Sequence, residues 1–273
     1  MNDDAAAQSR GSSFYSAMRI LPKPQRDAMF QIYSFCRAVD DIADEGGPRP
    51  ARSKALEKWR ADIDALYEGD APAPHLYSLF QAIHTFHLRR EDFLAVIDGM
   101  EMDVIEDIQA PDSDRLDLYC DRVASAVGRL SVCVFGVPEG EGEALAHHLG
   151  RAFQLTNILR DIDEDAAIDR LYLPREALKD AGITSTVPRD VMASPALGAA
   201  CVPLLARATA HFAEGSKIMA RCPRHSVRAP RIMAYVYESI LVRLNARGFA
   251  PPRERVRAPR HRIFLALLLY GIV

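Results

Sequence analysis

Apolar residues recur at spacings of three and four along most of this chain, and no stretch alternates with period two for long enough to make a strand. That pattern belongs to amphipathic helices, so the expected architecture is all-α. The clearest run is residues 25–45, where Met29, Ile32, Tyr33, Cys36 and Val39 fall at helical spacing. Gly46-Gly47-Pro48 ends it. Upstream, a short helix opens near Gly11-Ser12-Ser13-Phe14-Tyr15, with a serine as N-cap, and two prolines stop it at Leu21-Pro22-Lys23-Pro24. Residues 1–10 read as a disordered lead. Further helices are predicted at about 51–68, 75–88, 91–107, 113–135, 140–166, 197–220 and 229–247, with short elements between about 175 and 195. No linker is long or low in complexity, so residues 11–273 are expected to form a single helical domain, with 258–273 as an apolar C-terminal tail.

Two short segments answer each other across the middle of the chain. The first is Arg37-Ala38-Val39-Asp40-Asp41-Ile42-Ala43-Asp44-Glu45 and the second is Gln154-Leu155-Thr156-Asn157-Ile158-Leu159-Arg160-Asp161-Ile162-Asp163-Glu164-Asp165. Each holds an Asp-x-x-x-Asp core in a helical pattern. Residues four apart lie on one helix face, roughly 5–6 Å between Cβ atoms. Asp40 therefore aligns with Asp44, and Asp161 with Asp165, with Asn157 one turn earlier. Stacked carboxylates repel unless a cation sits between them, and hard oxygen ligands at this spacing suit Mg²⁺, which takes one or two carboxylates plus substrate phosphates. In a bundle, two such helices would line the mouth of a central cavity, where metal ions can clamp a diphosphate. Arg37 and Arg160 stand beside the acids. Each is either a phosphate contact, since the guanidinium fork matches phosphate, or an ordinary surface ion pair.

Below the acids, Phe14, Met29, Tyr33, Val123, Val127, Leu130 and Leu155 would line an apolar cavity or simply fill the core. The small-residue run Ala124-Ser125-Ala126-Val127-Gly128 gives room to a ligand, permits a kink, or lets two helices approach. His84-x-x-His87 lacks a partner cluster for a metal. No Walker loop, dinucleotide fingerprint, Ser-His-Asp arrangement or zinc motif is present.

The net charge of −3 hides a lopsided distribution, since residues 221–262 are rich in Arg and nearly free of acids. Five scattered cysteines with no Cys-x-x-Cys pair fit reduced thiols in a cytoplasmic protein. The polar N-terminus shows no signal peptide, and the apolar run 263–273 is too short to span a bilayer. That run either lies in a membrane interface beside Arg257, Arg260 and Arg262 or packs on the bundle as its last helix. No nucleic-acid partner is expected.

These residues resemble the squalene/phytoene synthase family of head-to-head prenyl transferases over about residues 12–255. The resemblance rests on Ser13-Phe14, the Tyr33-x-x-x-Arg37-x-x-Asp40-x-x-x-Asp44 segment, Tyr119-Cys120-x-x-Val123-Ala124-x-x-Val127-Gly128, Gln154-x-x-Asn157-x-x-Arg160-Asp161-x-x-x-Asp165 and Arg170-Leu171-Tyr172-Leu173-Pro174. It implies a helical prenyl synthase bundle in which Asp40, Asp44, Asn157, Asp161 and Asp165 hold several Mg²⁺ ions. Ser13, Tyr33, Arg37 and Arg160 would contact phosphate. Phe14, Gln154, Tyr237 and Arg255 complete the implied substrate contacts, and the Tyr172 loop forms a lid. Residues 161–176 are closest to the branch that joins two farnesyl diphosphates into presqualene diphosphate. No nicotinamide cofactor is then expected, and Tyr33 or the released diphosphate would take the proton. A phytoene or dehydrosqualene synthase and an NADPH-dependent squalene synthase are the alternatives inside the family. A non-catalytic assembly factor and a diphosphohydrolase are those outside it. Contact with enzymes that consume the product is left open.

Overall fold

The computed structural model describes residues 17–44, 46–69, 71–106 and 108–271, and among them the chain is helical throughout, with one isolated bridge between Gln109 and Leu171 in place of any strand. Helix α1 (Lys23–Asp44) begins with Pro24 in its first turn, where the missing N–H costs nothing. It buries Ala28, Met29, Ile32, Phe35, Val39 and Ala43 along one stripe. Helix α2 (Arg49–Glu68) ends at Gly69, whose φ of 89° closes the helix in the left-handed conformation glycine tolerates. After α3 (Tyr77–Phe86), α4 (Arg90–Ile105) is buried on nearly every side, including Phe93, Val96, Ile97, Met102 and the carboxylate of Asp103.

The helix expected over 113–135 is continuous but not uniform. Helix α5 (Ser113–Cys120) is N-capped by Asp112, whose side chain accepts from Arg115 N at 2.7 Å. It widens into one π turn at Asp121–Ser125 before α6 (Ala126–Phe135). The wide turn overlaps the start of the small-residue run at Ala124 and Ser125, and their neighbours explain both. A Cβ at Gly150 would stand 2.6 Å from Ser125 Cα, one at Gly128 3.1 Å from Ala146 Cα, and one at Gly99 2.6 Å from a Val123 methyl. The run thus provides close helix approach and a π bulge, a feature that recurs at functional sites. Buried Arg151 holds the turn from the side, donating to Asp117 at 2.8 and 3.0 Å, to Asp121 at 3.1 Å and to Ser125 Oγ at 3.0 Å.

The helix expected at 140–166 breaks. Helix α7 (Glu139–Arg160) stops at Asp161, and α8 (Ile162–Ala167) begins after it, because Asp161 adopts φ −101° and ψ 16°. Short helices α9 (Arg175–Asp180) and α10 (Pro188–Ala193) lead to the long α11 (Leu197–Arg221), and then α12 (Arg228–Arg247). One hydrophobic cluster runs through α1, α4, α6, α7 and α11. The apolar tail forms α13 (Arg260–Gly271), which seals a second, smaller cluster of Ala17, Ile232, Val236 and Ala266.

Candidate active site

The C-terminal end of α1 presents Asp40 and Asp44. Arg37, three residues before Asp40, reaches Asp40 Oδ2 at 2.9 Å and Asp41 Oδ1 at 2.7 Å. Burial, and then the neighbouring charge of Asp44, push the Asp40 carboxyl up to about 6. The second motif sits at the α7–α8 break. Asp165 N still donates to Asp161 O at 2.8 Å, so the turn that aligns the two side chains survives the change of direction. Burial and the Asp161 charge push the Asp165 carboxyl up to about 7. Arg160 grips Asp161 with two donors, at 2.8 and 2.5 Å, and Arg255 adds a third contact at 2.9 Å from the segment after α12.

Arg170 joins the two motifs. Its guanidinium donates to Asp44 Oδ1 at 2.7 Å and to Ala43 O at 2.9 Å. The loop that carries it is held from below: Leu171 N donates to Ile108 O at 2.7 Å and Ala110 N to Leu171 O at 2.8 Å. Beneath Arg170 lies Asp103, only 3% exposed, which accepts from Tyr119 Oη at 2.9 Å and Tyr172 Oη at 2.8 Å. The two phenol rings stack, with centroids 4.9 Å apart. Burial pushes the Asp103 carboxyl up, and Arg170 and the two phenols pull it back. Its charge acts on both Asp40 and Asp165.

The other predicted site residues divide. Tyr33 lies on α1 two turns before Asp40, half-buried, and burial holds its phenol above the ordinary value. Gln154 is half-buried on α7, one turn before Asn157. Asn157 Oδ1 is buried without a hydrogen-bond partner among the described residues. Tyr237 packs its ring 4.7 Å from Phe153 and acts on the Arg160 guanidinium. Tyr172 is 5% exposed and pinned to Asp103, which makes it a wall of the site; the expected lid is corrected, because a buried, doubly held phenol is no surface flap. Ser13, Phe14 and the lead 1–10 lie outside the described residues. Asp103 was missed: no motif marks it, and its one signal is a carboxylate in the buried stretch Met102-Asp103-Val104.

Met29, Leu130 and Leu155 are fully buried core, whereas Tyr33, Val123 and Val127 are half-buried. Of the residues expected to line a cavity, Val127 faces an apolar pocket. A pocket of about 80 Å³ runs between α6, α7 and α12, lined by Ala124, Val127, Gly128, Leu149, Phe153 and Met233 among others. Beside Arg255 opens a polar recess of about 550 Å³ that also exposes Arg243 and Arg247. His84 is exposed on α3 and packs its ring on the half-buried Phe80, 4.3 Å away.

An all-α bundle that gathers two Asp-x-x-x-Asp segments at one mouth, over an apolar interior, has the architecture of the helical isoprenoid synthases. The chain belongs to the squalene/phytoene synthase family, whose model matches residues 7–262. It is 62% identical over 263 residues to the presqualene diphosphate synthase of Rhodopseudomonas palustris, covering 96% of this chain and 94% of that one. It is 63% identical over 247 residues to the presqualene diphosphate synthase of Sinorhizobium fredii, covering 90% and 88%. The fold matches the crystal structure of the squalene synthase HpnC from Alicyclobacillus acidocaldarius with a TM-score of 0.79 at 28% identity, covering 89% and 92% of the two chains.

Proposed function

We infer that this chain, with residues 11–273 acting as one domain, joins two farnesyl diphosphates head to head, releases one diphosphate and delivers presqualene diphosphate. The observation that carries the reading is the meeting of the two acidic segments at Arg170, whose side chain pairs with Asp44 and whose backbone N–H donates to Asp165 O, with the Asp40 and Asp165 carboxyls pushed well above their ordinary value. The identity to presqualene diphosphate synthases supports the choice of product.

The site suits Mg²⁺. Its donors are hard oxygens, its carboxylates crowd one another, and the buried Asn157 Oδ1 lacks a partner, an arrangement costly to leave without a cation. Asp40, Asp44, Asn157, Asp161 and Asp165 would hold the metal. When bound, Mg²⁺ neutralises the charge that grows on diphosphate as its carbon–oxygen bond breaks. The chain's own residues do the rest. Arg37, Arg160 and Arg255 present guanidinium forks at the mouth, matched to phosphate oxygens. The first diphosphate leaves with the bonding electron pair, the 2,3-double bond of the second molecule attacks the allylic cation, and loss of a proton closes the cyclopropane. Burial keeps the Tyr33 phenol protonated, so it serves as a donor to phosphate, and the released diphosphate is the better proton acceptor. The stacked Tyr119 and Tyr172 rings and the half-buried Phe153 and Tyr237 offer faces that attract a cation.

The amphiphilic substrate supports a membrane contact. Helix α13 turns Phe264, Leu265, Leu268 and Leu269 outward, with Phe264 69% exposed. Next to it, Arg224, His225, Arg228 and Arg231 ring a recess of about 360 Å³. Exposed apolar side chains beside a basic recess suit the interface of an anionic bilayer. No helix among the described residues is long and apolar enough to cross one, so the contact would be peripheral, on the cytoplasmic side that the five free thiols favour.

Incubation of the purified protein with farnesyl diphosphate and Mg²⁺, followed by phosphatase treatment and mass spectrometry, tests the reaction. Presqualene alcohol should dominate with and without NADPH. Squalene formed only with NADPH, or phytoene from geranylgeranyl diphosphate with farnesyl diphosphate ignored, would replace this reading by a sister activity.

A further inference from the structure

We propose that His147, His148 and His211 form a binding site for one transition-metal ion of the zinc, cobalt or nickel class, bracing α7 against α11. His147 and His148 are neighbours on α7, and His211 comes across from α11. One ring nitrogen from each lies within 4.8 Å of the other two. The three ring centroids form a triangle with sides of 4.9, 5.2 and 5.8 Å. His148 Nδ1 and His211 Nδ1 are 3.0 Å apart. A tetrahedral ion with bonds of ~2.0–2.1 Å to nitrogen holds its ligand atoms about 3.3 Å apart, so the widest gap closes with roughly 1.5 Å of ring movement.

The surroundings allow it. His147 is exposed, which gives an ion a way in, while His148 and His211 are half-buried. Arg151 and Arg207 are nearby cations, but both are tied to Asp117, at 2.8 and 3.1 Å, and Arg151 also to Asp121. Glu214, one turn past His211 and paired with Lys217 at 2.7 Å, or a water can supply the fourth ligand. Partial desolvation lowers the basicity of all three rings, that of His211 to about 4, which favours the uncharged form that ligands need. His148 precedes Asn157 by nine residues, about 13 Å along a helix, so this site is separate from the carboxylate mouth. The chemistries are also opposite: imidazole selects borderline transition metals, and the carboxylate mouth selects hard Mg²⁺.

The test uses the full chain, stripped of metal and kept in excess Mg²⁺, titrated with Co²⁺ while visible absorption and melting temperature are followed. One equivalent should bind, produce ligand-field bands of a four-coordinate site and raise the melting temperature. His147→Gln changes an exposed side chain and leaves the fold intact. Losing a direct ligand should weaken binding by about tenfold or more, since even outer partners of a ligand carry 10–100-fold. His211→Ala should do the same, and if it unfolds the protein, His147→Gln alone decides. Absence of saturable Co²⁺ binding in the parent chain, or unchanged affinity in His147→Gln, overturns the proposal.

Discussion

Arg170 and Asp44 stand 126 residues apart in sequence and 2.7 Å apart in space. The contact draws the loop after the second acidic segment onto the end of the first. Arg170 is buried, while Asp44 keeps about half its surface, so the pair positions more than it stabilises. Arg170→Gln should cost about 2 kcal/mol, the range for a hydrogen bond to a charged group, read by urea denaturation. Turnover should fall further than stability, because both motifs lose their common anchor. Equal activity in the variant at saturating Mg²⁺ would remove Arg170 from the site.

Asp40→Asn and Asp161→Asn should each lower turnover by about 100-fold or more, comparable to losing one charge-stabilising group in a reacting site. Circular dichroism should be unchanged, because Asn keeps an acceptor for Arg37 or Arg160 and relieves the repulsion from the carboxylate one turn on. Full Mg²⁺-dependent activity in either would show that the carboxylates do not act on the substrate.

The two raised carboxyls make stability depend on pH. Both titrate above their ordinary 3.8 in the folded chain, Asp40 near 6 and Asp165 near 7. A raised folded value means that the folded state holds protons more tightly, so their contribution is fully present below about pH 4 and is lost as pH rises through 6 and 7. In EDTA the melting temperature should therefore fall across that window. Mg²⁺ should restore it at pH 8 and do little at pH 5, and Asp165→Asn should narrow the gap. A Mg²⁺ effect of equal size at both pH values counts against the assignment.

Glycines on α7 offer a paired control on packing. Gly150→Ala drives a methyl to within 2.6 Å of Ser125 Cα and should destabilise by about 1–3 kcal/mol. Gly140→Ala meets nothing within 4 Å and should stabilise by up to about 1 kcal/mol through helix propensity. Thermal melts of the two should move in opposite directions.

On α13, Phe264→Ser combined with Leu268→Ser removes exposed apolar surface and spares the buried Ala266. Sedimentation with anionic vesicles should drop while the melting temperature holds. Binding that persists, or that ignores lipid charge, places the contact elsewhere.

Helical periodicity made the bundle readable, and the spacing of Asp40–Asp44 and Asp161–Asp165 made the mouth readable. What stayed hidden is tertiary. Nothing local tells Asp103 that Tyr119 and Tyr172 will meet on it from positions 16 and 69 residues away. The helix break at Asp161 was also hidden, because its flanking residues are ordinary helix formers. The apolar pattern of the tail fits both a packed helix and an interfacial one, and α13 packs through Ala266 and Leu267 while leaving Leu265, Leu268 and Leu269 outside. His147, His148 and His211 come from two helices and share no spacing a linear motif could carry.

The ion pairs at the mouth have a thermodynamic consequence. Arg37, Arg160 and Arg255 now serve as internal counter-ions to Asp40 and Asp161. A divalent cation that takes the carboxylates sets guanidiniums free, and a diphosphate that takes the guanidiniums sets carboxylates free. Each ligand thus removes the competitor of the other, and linkage requires the effect to be reciprocal. The resting site is thus partly neutralised from within, and metal and diphosphate each bind more tightly once the other is present.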